Sequence, residues 1–459
     1  MRFLTSLVCV LLVSACAREV PSATVGATAP CDVVGAYRLE DGTALAIGPS
    51  SGDSLRFRLS DGQSGVLLRQ RDGSFLGGLG WASTTPPVNR FQFGGCDAPS
   101  SLSLDGKVAT ARRVQTQAEA LRIEADGVTL AGRLVLPQDA KDAPIAVLTH
   151  RQGSMSMLAF DYWQHLLPAM GVGVLVYDKR GTGASGGDAT ESFDILAADA
   201  LAAFNAAKTR ARPGQSIGFL GTAQGGFTAV MAAASSEPDF LIVINGQAHK
   251  PAFDDQEEVL YRLRTLGYGE EVLAKAREVT NVTRTIVTSR FEEGWDALEE
   301  IKARYGEEPW FSEIRGSYSE RVLTYSPRIL RTFGPDRAPE RSWDFDPQPI
   351  LQRLDAPQLW VLAGRDSEAP SARSLAYLRQ LQNRRPTIDI LLYEEAGHGN
   401  IIYETDAAGQ RQVLSYAPGY FEAVAKWVTD GTLTAAAGAR IVSGETPAPA
   451  RPADGPESP

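Results

Sequence analysis

The chain has 459 residues, 43% of them hydrophobic, with 45 Lys and Arg against 55 Asp and Glu, a formal net charge of −10. That length and apolar content suffice for the cores of two or three domains, so disorder is confined to pieces. The acidic balance excludes a nucleic-acid partner, because no basic stripe is available to displace phosphate counterions.

Residues 1–16 read as an export signal: a charged Met1-Arg2, an apolar run over 3–13, and small residues before Cys16. The run is shorter than the roughly 20 apolar residues that a membrane span needs. Val13-Ser14-Ala15-Cys16 resembles the bacterial lipobox, which implies lipidation of Cys16 and anchoring to the periplasmic side of the envelope. The alternative is an ordinary signal peptide. Residues 17–30, small, polar and proline-containing, suit a flexible tether. In an exported chain Cys31 and Cys96 are expected to pair, closing a loop of about 65 residues that adds about 3 to 4 kcal/mol in the chain-entropy model. Two such cysteines and four histidines (His150, His165, His249, His398) have no ligand spacing, so neither metal nor cofactor is expected.

From 31 to 115 apolar and polar residues alternate, and Asp-Gly pairs at Asp41, Asp61, Asp72 and Asp105 mark hairpin turns. This predicts a small antiparallel β domain whose Trp81, Phe91 and Phe93 are core residues rather than a ligand platform. A further hairpin over 121–136, turning at Asp126-Gly127, leads to an apolar run at 144–150. Similar runs follow at 172–177, 216–220 and 240–244, of the kind buried on both faces of a parallel sheet. Between them 192–208 and 227–235 carry helical periodicity, giving an α/β order.

After Gly246 charged amphipathic stretches at 257–266, 270–279 and 292–305 predict an inserted helical lid over about 250–345. The sheet pattern resumes at 357–363 and 387–393, and a helix over 420–430 closes the domain, assigned to 116–436. Residues 437–459 form a Pro-rich tail read as disordered.

Three chemical features stand in order. Gly221-Thr222-Ala223-Gln224-Gly225 has the shape of a nucleophile elbow, a strand turning sharply into a helix, but with alanine at the nucleophile position. Gly364-Arg365-Asp366 follows one buried strand and Gly397-His398-Gly399 the last. Nucleophile, acid, histidine, each at the carboxyl end of a strand, is the order used by α/β hydrolases.

With these residues and the run Tyr177-Asp178-Lys179-Arg180-Gly181-Thr182-Gly183-Ala184-Ser185-Gly186-Gly187, residues 116–430 resemble the bacterial α/β-hydrolase family of serine esterases and acylaminoacyl-peptidase-like proteins. The resemblance implies a mostly parallel sheet with helices on both faces, a helical lid and a small N-terminal β domain. It implies His398 as general base, Asp366 as the carboxylate that orients it, and the Gln224 amide as one oxyanion donor. Two positions depart from the pattern. Ala223 stands where the family has serine, and His150-Arg151 where it has His-Gly, so that the Arg151 side chain occupies the other oxyanion position. Thr222 leaves the elbow in the wrong direction, and Ser154 and Ser156 read as loop residues rather than substitute nucleophiles. The expectation is an exported hydrolase-family protein of reduced or lost activity whose pocket takes a small acyl or ester compound. A hydrolase or lyase run by the His398 and Asp366 dyad, and a non-catalytic binding protein of the envelope, are the alternatives.

Overall fold

The computed structural model describes residues 32–82, 87–94, 98–140, 142–337, 342–406, 409–433 and 438–443. The leader, the tether, Cys16, Cys31, Cys96 and most of the tail lie outside the described residues. Among the described residues no helix is long and apolar enough to cross a membrane.

Eight short strands, β1 (Gly35–Leu39), β2 (Ala44–Pro49), β3 (Leu55–Leu59), β4 (Ser64–Arg69), β5 (Phe75–Gly77), β6 (Asn89–Gln92), β7 (Ser100–Leu104) and β8 (Lys107–Arg113), close into an antiparallel barrel. Each Asp-Gly pair of this region lies at a turn between consecutive strands. At the β7–β8 turn both residues take positive φ (Asp105 47°, Gly106 75°), a backbone whose twist matches that of the strands it joins. Inward-facing Leu45, Ile47, Phe57, Leu67 and Phe91 fill the interior, with Phe93 packed against them. Trp81 instead packs outward, against the core of the second domain.

The second domain is built on a nine-stranded sheet in the order β19-β16-β15-β14-β13-β11-β12-β10-β9. The hairpin β9 (Thr116–Ala125) and β10 (Val128–Pro137) is antiparallel and pairs with β12 (Gly173–Tyr177). From β12 through β11 (Ile145–Thr149), β13 (Ile217–Thr222), β14 (Phe240–Ile244), β15 (Gln358–Ala363) and β16 (Ile388–Tyr393) every pairing is parallel. These central strands are buried along nearly their whole length, which is why they read as unbroken apolar runs. Helices cover both faces. On one, α3 (Phe193–Lys208), α4 (Gln224–Ala234), α10 (Gln348–Arg353) and α11 (Ala372–Gln382) pack through Ala200, Phe204, Ala229 and Leu378; on the other, α1 (Met157–Phe160), α2 (Trp163–Ala169) and α12 (Tyr420–Asp430) pack through Trp163, Leu166 and Phe421. The fold is thus the expected α/β hydrolase with a separate N-terminal β domain.

Between β14 and β15 lies the helical insertion: α5 (Asp254–Thr265), α6 (Glu270–Thr288), α7 (Trp295–Tyr305), α8 (Ser319–Thr324) and α9 (Pro327–Arg337). It has its own apolar clusters, Leu260, Leu263, Leu273 and Trp310 in one and Ile286, Leu298 and Val322 in the other. Its α6 runs nine residues beyond the expected 279, because the buried positions Thr283, Ile286 and Val287 continue its inner face. The helix expected from 292 begins instead at Trp295, after Gly294 takes φ 88°.

Three further departures concern the sheet. α4 starts at Gln224, not 227, because the elbow allows a single residue between strand and helix. β19 (Ala439–Val442) pairs antiparallel with β16, so the sheet extends into the stretch assigned to the tail. And β17 (Ile401–Thr405) with β18 (Arg411–Tyr416) forms a hairpin directly after His398. This hairpin lies against the barrel: Trp81 N donates to the Val413 carbonyl at 3.0 Å, and Tyr416 N to the Gly62 carbonyl at 2.8 Å. From the barrel side Arg58, buried, donates from Nε to the Tyr416 hydroxyl at 3.0 Å and lies 4.4 Å over the Tyr162 ring.

Candidate active site

The elbow is built by steric exclusion. β13 ends at Thr222 and α4 begins at Gln224, so the one residue between them, Ala223, makes the whole turn, with φ 50° and ψ −120°. A residue with a Cβ pays about 1–3 kcal/mol in such a backbone. Ala223 is held there by its own N–H to the Ile244 carbonyl at 2.8 Å and by the Gly226 N–H to its carbonyl at 2.9 Å. The flanking glycines allow the approach: a Cβ on Gly221 would lie 2.5 Å from the Gly225 carbonyl oxygen, and one on Gly225 would strike the Thr149 carbonyl. Ala223 is consequently lifted out of the sheet and partly exposed, as Thr222 and Gln224 on either side of it are.

Next along the sheet, β14 and β15 supply the acid. Asp366, 1% exposed in the turn after β15, accepts hydrogen bonds from the Glu368 and Ala369 amides at 3.0 and 2.8 Å, from Asn245 Nδ2 at 3.2 Å and from His398 Nδ1 at 2.9 Å. Donors on both oxygens fix the carboxylate plane toward the imidazole. His398 follows β16, so four consecutive parallel strands deliver Ala223, Asn245, Asp366 and His398 to one edge. Because Nδ1 is engaged by Asp366, Nε2 is the nitrogen left for proton transfer, the tautomer that a general base requires.

Burial alone would push the His398 imidazole down, but the hydrogen bond to Asp366 and its charge outweigh this and hold the group above the ordinary histidine value; Glu368 adds to the rise and Arg151 opposes it. His150 and His165 are instead pushed down by burial, to about 3 and about 4. With four histidines in the chain, an NMR titration of the imidazole protons is therefore expected to find His398 titrating above the free value while His150 and His165 stay neutral over the same range. Asp366→Asn should carry His398 below about 6.5, since only the downward influence of burial then remains dominant. A folded-state value above the unfolded one means that the pair stabilises the fold fully below about pH 6.5 and that this stabilisation is lost as pH rises through the folded-state value. An unchanged His398 titration in the variant would refute the assignment.

Asn245 and Asn400 escaped the sequence reading. Asn400 Nδ2 donates to Asn245 Oδ1 at 2.8 Å, which aims the Asn245 amide at Asp366. Both take positive φ (50° and 55°), which asparagine tolerates, and the only local signal is an asparagine beside a glycine, Asn245 before Gly246 at the end of a buried strand and Asn400 after Gly399.

Opposite the acid and base, β11 ends in His150-Arg151. His150 is buried with its ring 5.0 Å from that of Tyr177. Arg151 is exposed; its carbonyl accepts Lys179 Nζ at 3.1 Å, and its guanidinium reaches Met155 Sδ at 3.7 Å. The Gln224 amide, first of its helix, has no intrahelical partner and is free to face an oxyanion. The Gln224 side chain donates from Nε2 to Glu191 Oε2 at 2.6 Å, while its Oε1 is buried without a partner.

The Tyr177-to-Gly187 run is scaffold. Asp178, 1% exposed, accepts from Ser156 Oγ at 2.8 Å and from the Leu158 and Ala184 amides at 3.0 and 2.9 Å. A Cβ on Gly183 would overlap that carboxylate. Arg180 binds Asp199 through two bonds of 2.8 and 2.6 Å. Ser156 is thus occupied with Asp178 and with capping α1 through the Ala159 amide at 3.2 Å. Ser154 is exposed, and among the described residues no hydrogen bond links Ser154, Ser156 or Thr222 to His398. Nor is any group of His, Cys, Asp and Glu among those residues placed to hold a metal ion.

A parallel sheet that delivers a strained elbow, a buried carboxylate and a histidine in that chain order defines one class of architecture, the α/β-hydrolase fold. Residues 141–296, less than half of the chain, match the family described as Serine aminopeptidase, S33. Among solved structures the chain is similar to the Pyrococcus furiosus esterase Pf2001, with 16% identity, 62% of this chain and 84% of that one covered, and a TM-score of 0.39. It is similar also to Est1E from Butyrivibrio proteoclasticus, solved with ferulic acid bound (17% identity, 68% and 97% covered, TM-score 0.38), and to the Pyrococcus horikoshii acylaminoacyl peptidase (16%, 77% and 52%, TM-score 0.37). No curated protein matches the sequence.

Proposed function

We propose that this hydrolase-family chain is a receptor for a small acyl or ester compound, with acyl-transfer activity reduced or lost. The observation that carries the reading is Ala223: the elbow keeps the strained geometry that presents a nucleophile, and presents a methyl group. Loss of the serine in one well-studied triad lowers kcat by about 2 × 10⁶ and leaves roughly 10³ to 10⁴ over water. The intact His398 and Asp366 pair favours a second reading, in which the base activates a bound water or abstracts an acidic proton, a contribution of about 10² to 10⁴.

The test is direct. The unaltered protein is expected to resist fluorophosphonate labelling and to turn over p-nitrophenyl butyrate about 10⁶-fold more slowly than an ordinary esterase. Turnover at ordinary esterase rates that His398→Ala abolishes would refute the first reading; slow, label-resistant turnover across an ester, thioester and lactone panel would favour the second. Export and a lipid anchor at Cys16, with Cys31 and Cys96 joined, belong to the same proposal and rest on the sequence pattern of the leader. Mass spectrometry of the mature N-terminus tests the anchor, since only the lipidated form begins at an acylated Cys16.

A further inference from the structure

We infer that the site takes its acyl compound as a free carboxylate, held by Arg151 and Lys179, and not as a neutral ester. The inference rests on the receptor reading above and names the charge state of its ligand.

Three observations converge. First, among the described residues neither cation has a carboxylate within ion-pair distance. Lys179 is only 5% exposed, yet the Arg151 carbonyl accepts its one hydrogen bond and no carboxylate stands within ion-pair distance among the described residues. An ammonium has three protons to donate, so two remain for a ligand. The Arg151 guanidinium has a thioether at 3.7 Å and no ion pair among those residues. In a chain of net charge −10 acidic groups are plentiful, and arginines elsewhere have found them, as Arg180 with Asp199, Arg262 with Glu313 and Arg373 with Glu257 have. The buried Arg58 also lacks a carboxylate, but it is spent on the Tyr416 hydroxyl and the Tyr162 ring, whereas Lys179 has a backbone carbonyl alone.

Second, the charges point at one place. β11 runs beside β13 with Thr149 opposite Gly221, and Thr149 Oγ1 donates to the Gly225 carbonyl at 2.7 Å, so the Arg151 loop borders the elbow and Lys179 Nζ is tied to it through the Arg151 carbonyl; the Arg151 charge also acts on His398. Glu191 acts on Lys179 and Asp161 on Arg151, but neither forms an ion pair with these cations among the described residues, Glu191 accepting from Gln224 Nε2 and Asp161 from the Trp163 amide, while Asp366 is committed to His398. Third, the eleven-residue α4 ends its N-terminus at Ala223, and the free first-turn amides there favour negative charge.

The chemistry follows from what changed. An ester carbonyl is neutral and becomes anionic only when a nucleophile attacks it. Without Oγ that moment does not come, and a site tuned for it has nothing to stabilise. A carboxylate carries the charge in its ground state, and a guanidinium offers paired N–H groups that match its two oxygens. Replacing serine by alanine also removes the atom that would crowd one of those oxygens.

Titration calorimetry of the full mature chain with sodium butyrate and with methyl butyrate distinguishes the cases. Butyrate is expected to bind and the methyl ester to bind more weakly. Arg151→Gln should weaken butyrate by about 10- to 100-fold, the range of a charge-assisted hydrogen bond, with the ester unaffected. Added salt should weaken only the acid. Because Arg151 is exposed, an unaltered thermal midpoint is expected to accompany the loss; Lys179→Met, in a buried position, serves as the second variant with the same expected selectivity. Equal binding of acid and ester, insensitive to Arg151→Gln and Lys179→Met, would overturn the inference and leave the receptor reading standing. Binding of neither would overturn both.

Discussion

The double variant Ala223→Ser, Arg151→Gly is expected to hydrolyse p-nitrophenyl butyrate about 10⁵- to 10⁶-fold faster than the unaltered chain, and Ala223→Ser alone to fall short of it by about 10²- to 10³-fold. The first figure is the worth of a nucleophile in an otherwise complete triad. Three features that a serine at 223 would use are present: the φ of 50° that lifts its side chain, Asp366 engaged at 2.9 Å with His398 Nδ1, and the Asn245 amide steadying the acid. The second figure is the worth of one oxyanion donor, on the proposal that the Arg151 side chain takes the place where an approaching carbonyl oxygen needs bare backbone. The single variant should already be labelled by a fluorophosphonate, whose phosphoryl oxygen tolerates a cationic neighbour. Equal rates for the single and double variants would show that Arg151 does not obstruct the site.

The largest expected loss of stability comes from Arg180→Ala. Asp199 has a fully buried side chain and Arg180 one that is 11% exposed, and the fork between them has two short bonds. Removing one partner leaves an uncompensated carboxylate in the interior, a change that costs about 3–5 kcal/mol. Calorimetry should register it as a fall of about 10 °C in the midpoint of the hydrolase domain. Replacing both partners, Arg180→Met with Asp199→Leu, is expected to recover most of the loss, since an apolar pair of similar volume needs no compensation. If the single variant melted with the unaltered protein, the pair would be ornamental.

The sheet was legible because its strands are buried on both faces and therefore unbroken in the sequence, and the barrel hairpins because Asp105-Gly106 and its counterparts mark turns by themselves. The pairing of Asp366 with His398 was legible because each follows such a strand, His398 between Gly397 and Gly399. What escaped depends on partners far away in the chain. Closure of the barrel is a pairing of Tyr37 with Arg113, β19 is defined by its registry with β16, and the hairpin over 401–416 acquires its meaning from the barrel residues that it meets. Asn245 and Asn400 are separated by 155 positions and carry no motif, yet they set the orientation of the acid. Local patterning records burial and turns; it does not record which edge meets which.

The hairpin after His398 has a consequence for how the two domains can be handled. One end of it is the loop that presents the base, Gly397 N donating to the Ile401 carbonyl at 2.8 Å; the other end is seated on the barrel through Val413, Tyr416 and Arg58. Excising residues 31–115 would therefore strip an aromatic surface bare and cut the brace of the histidine loop at the same stroke. The barrel is a buttress: a truncated hydrolase domain that bound nothing would say as much about a loosened His398 as about a missing recognition module, and experiments that seek the barrel's own ligand are better made with point changes on its far side.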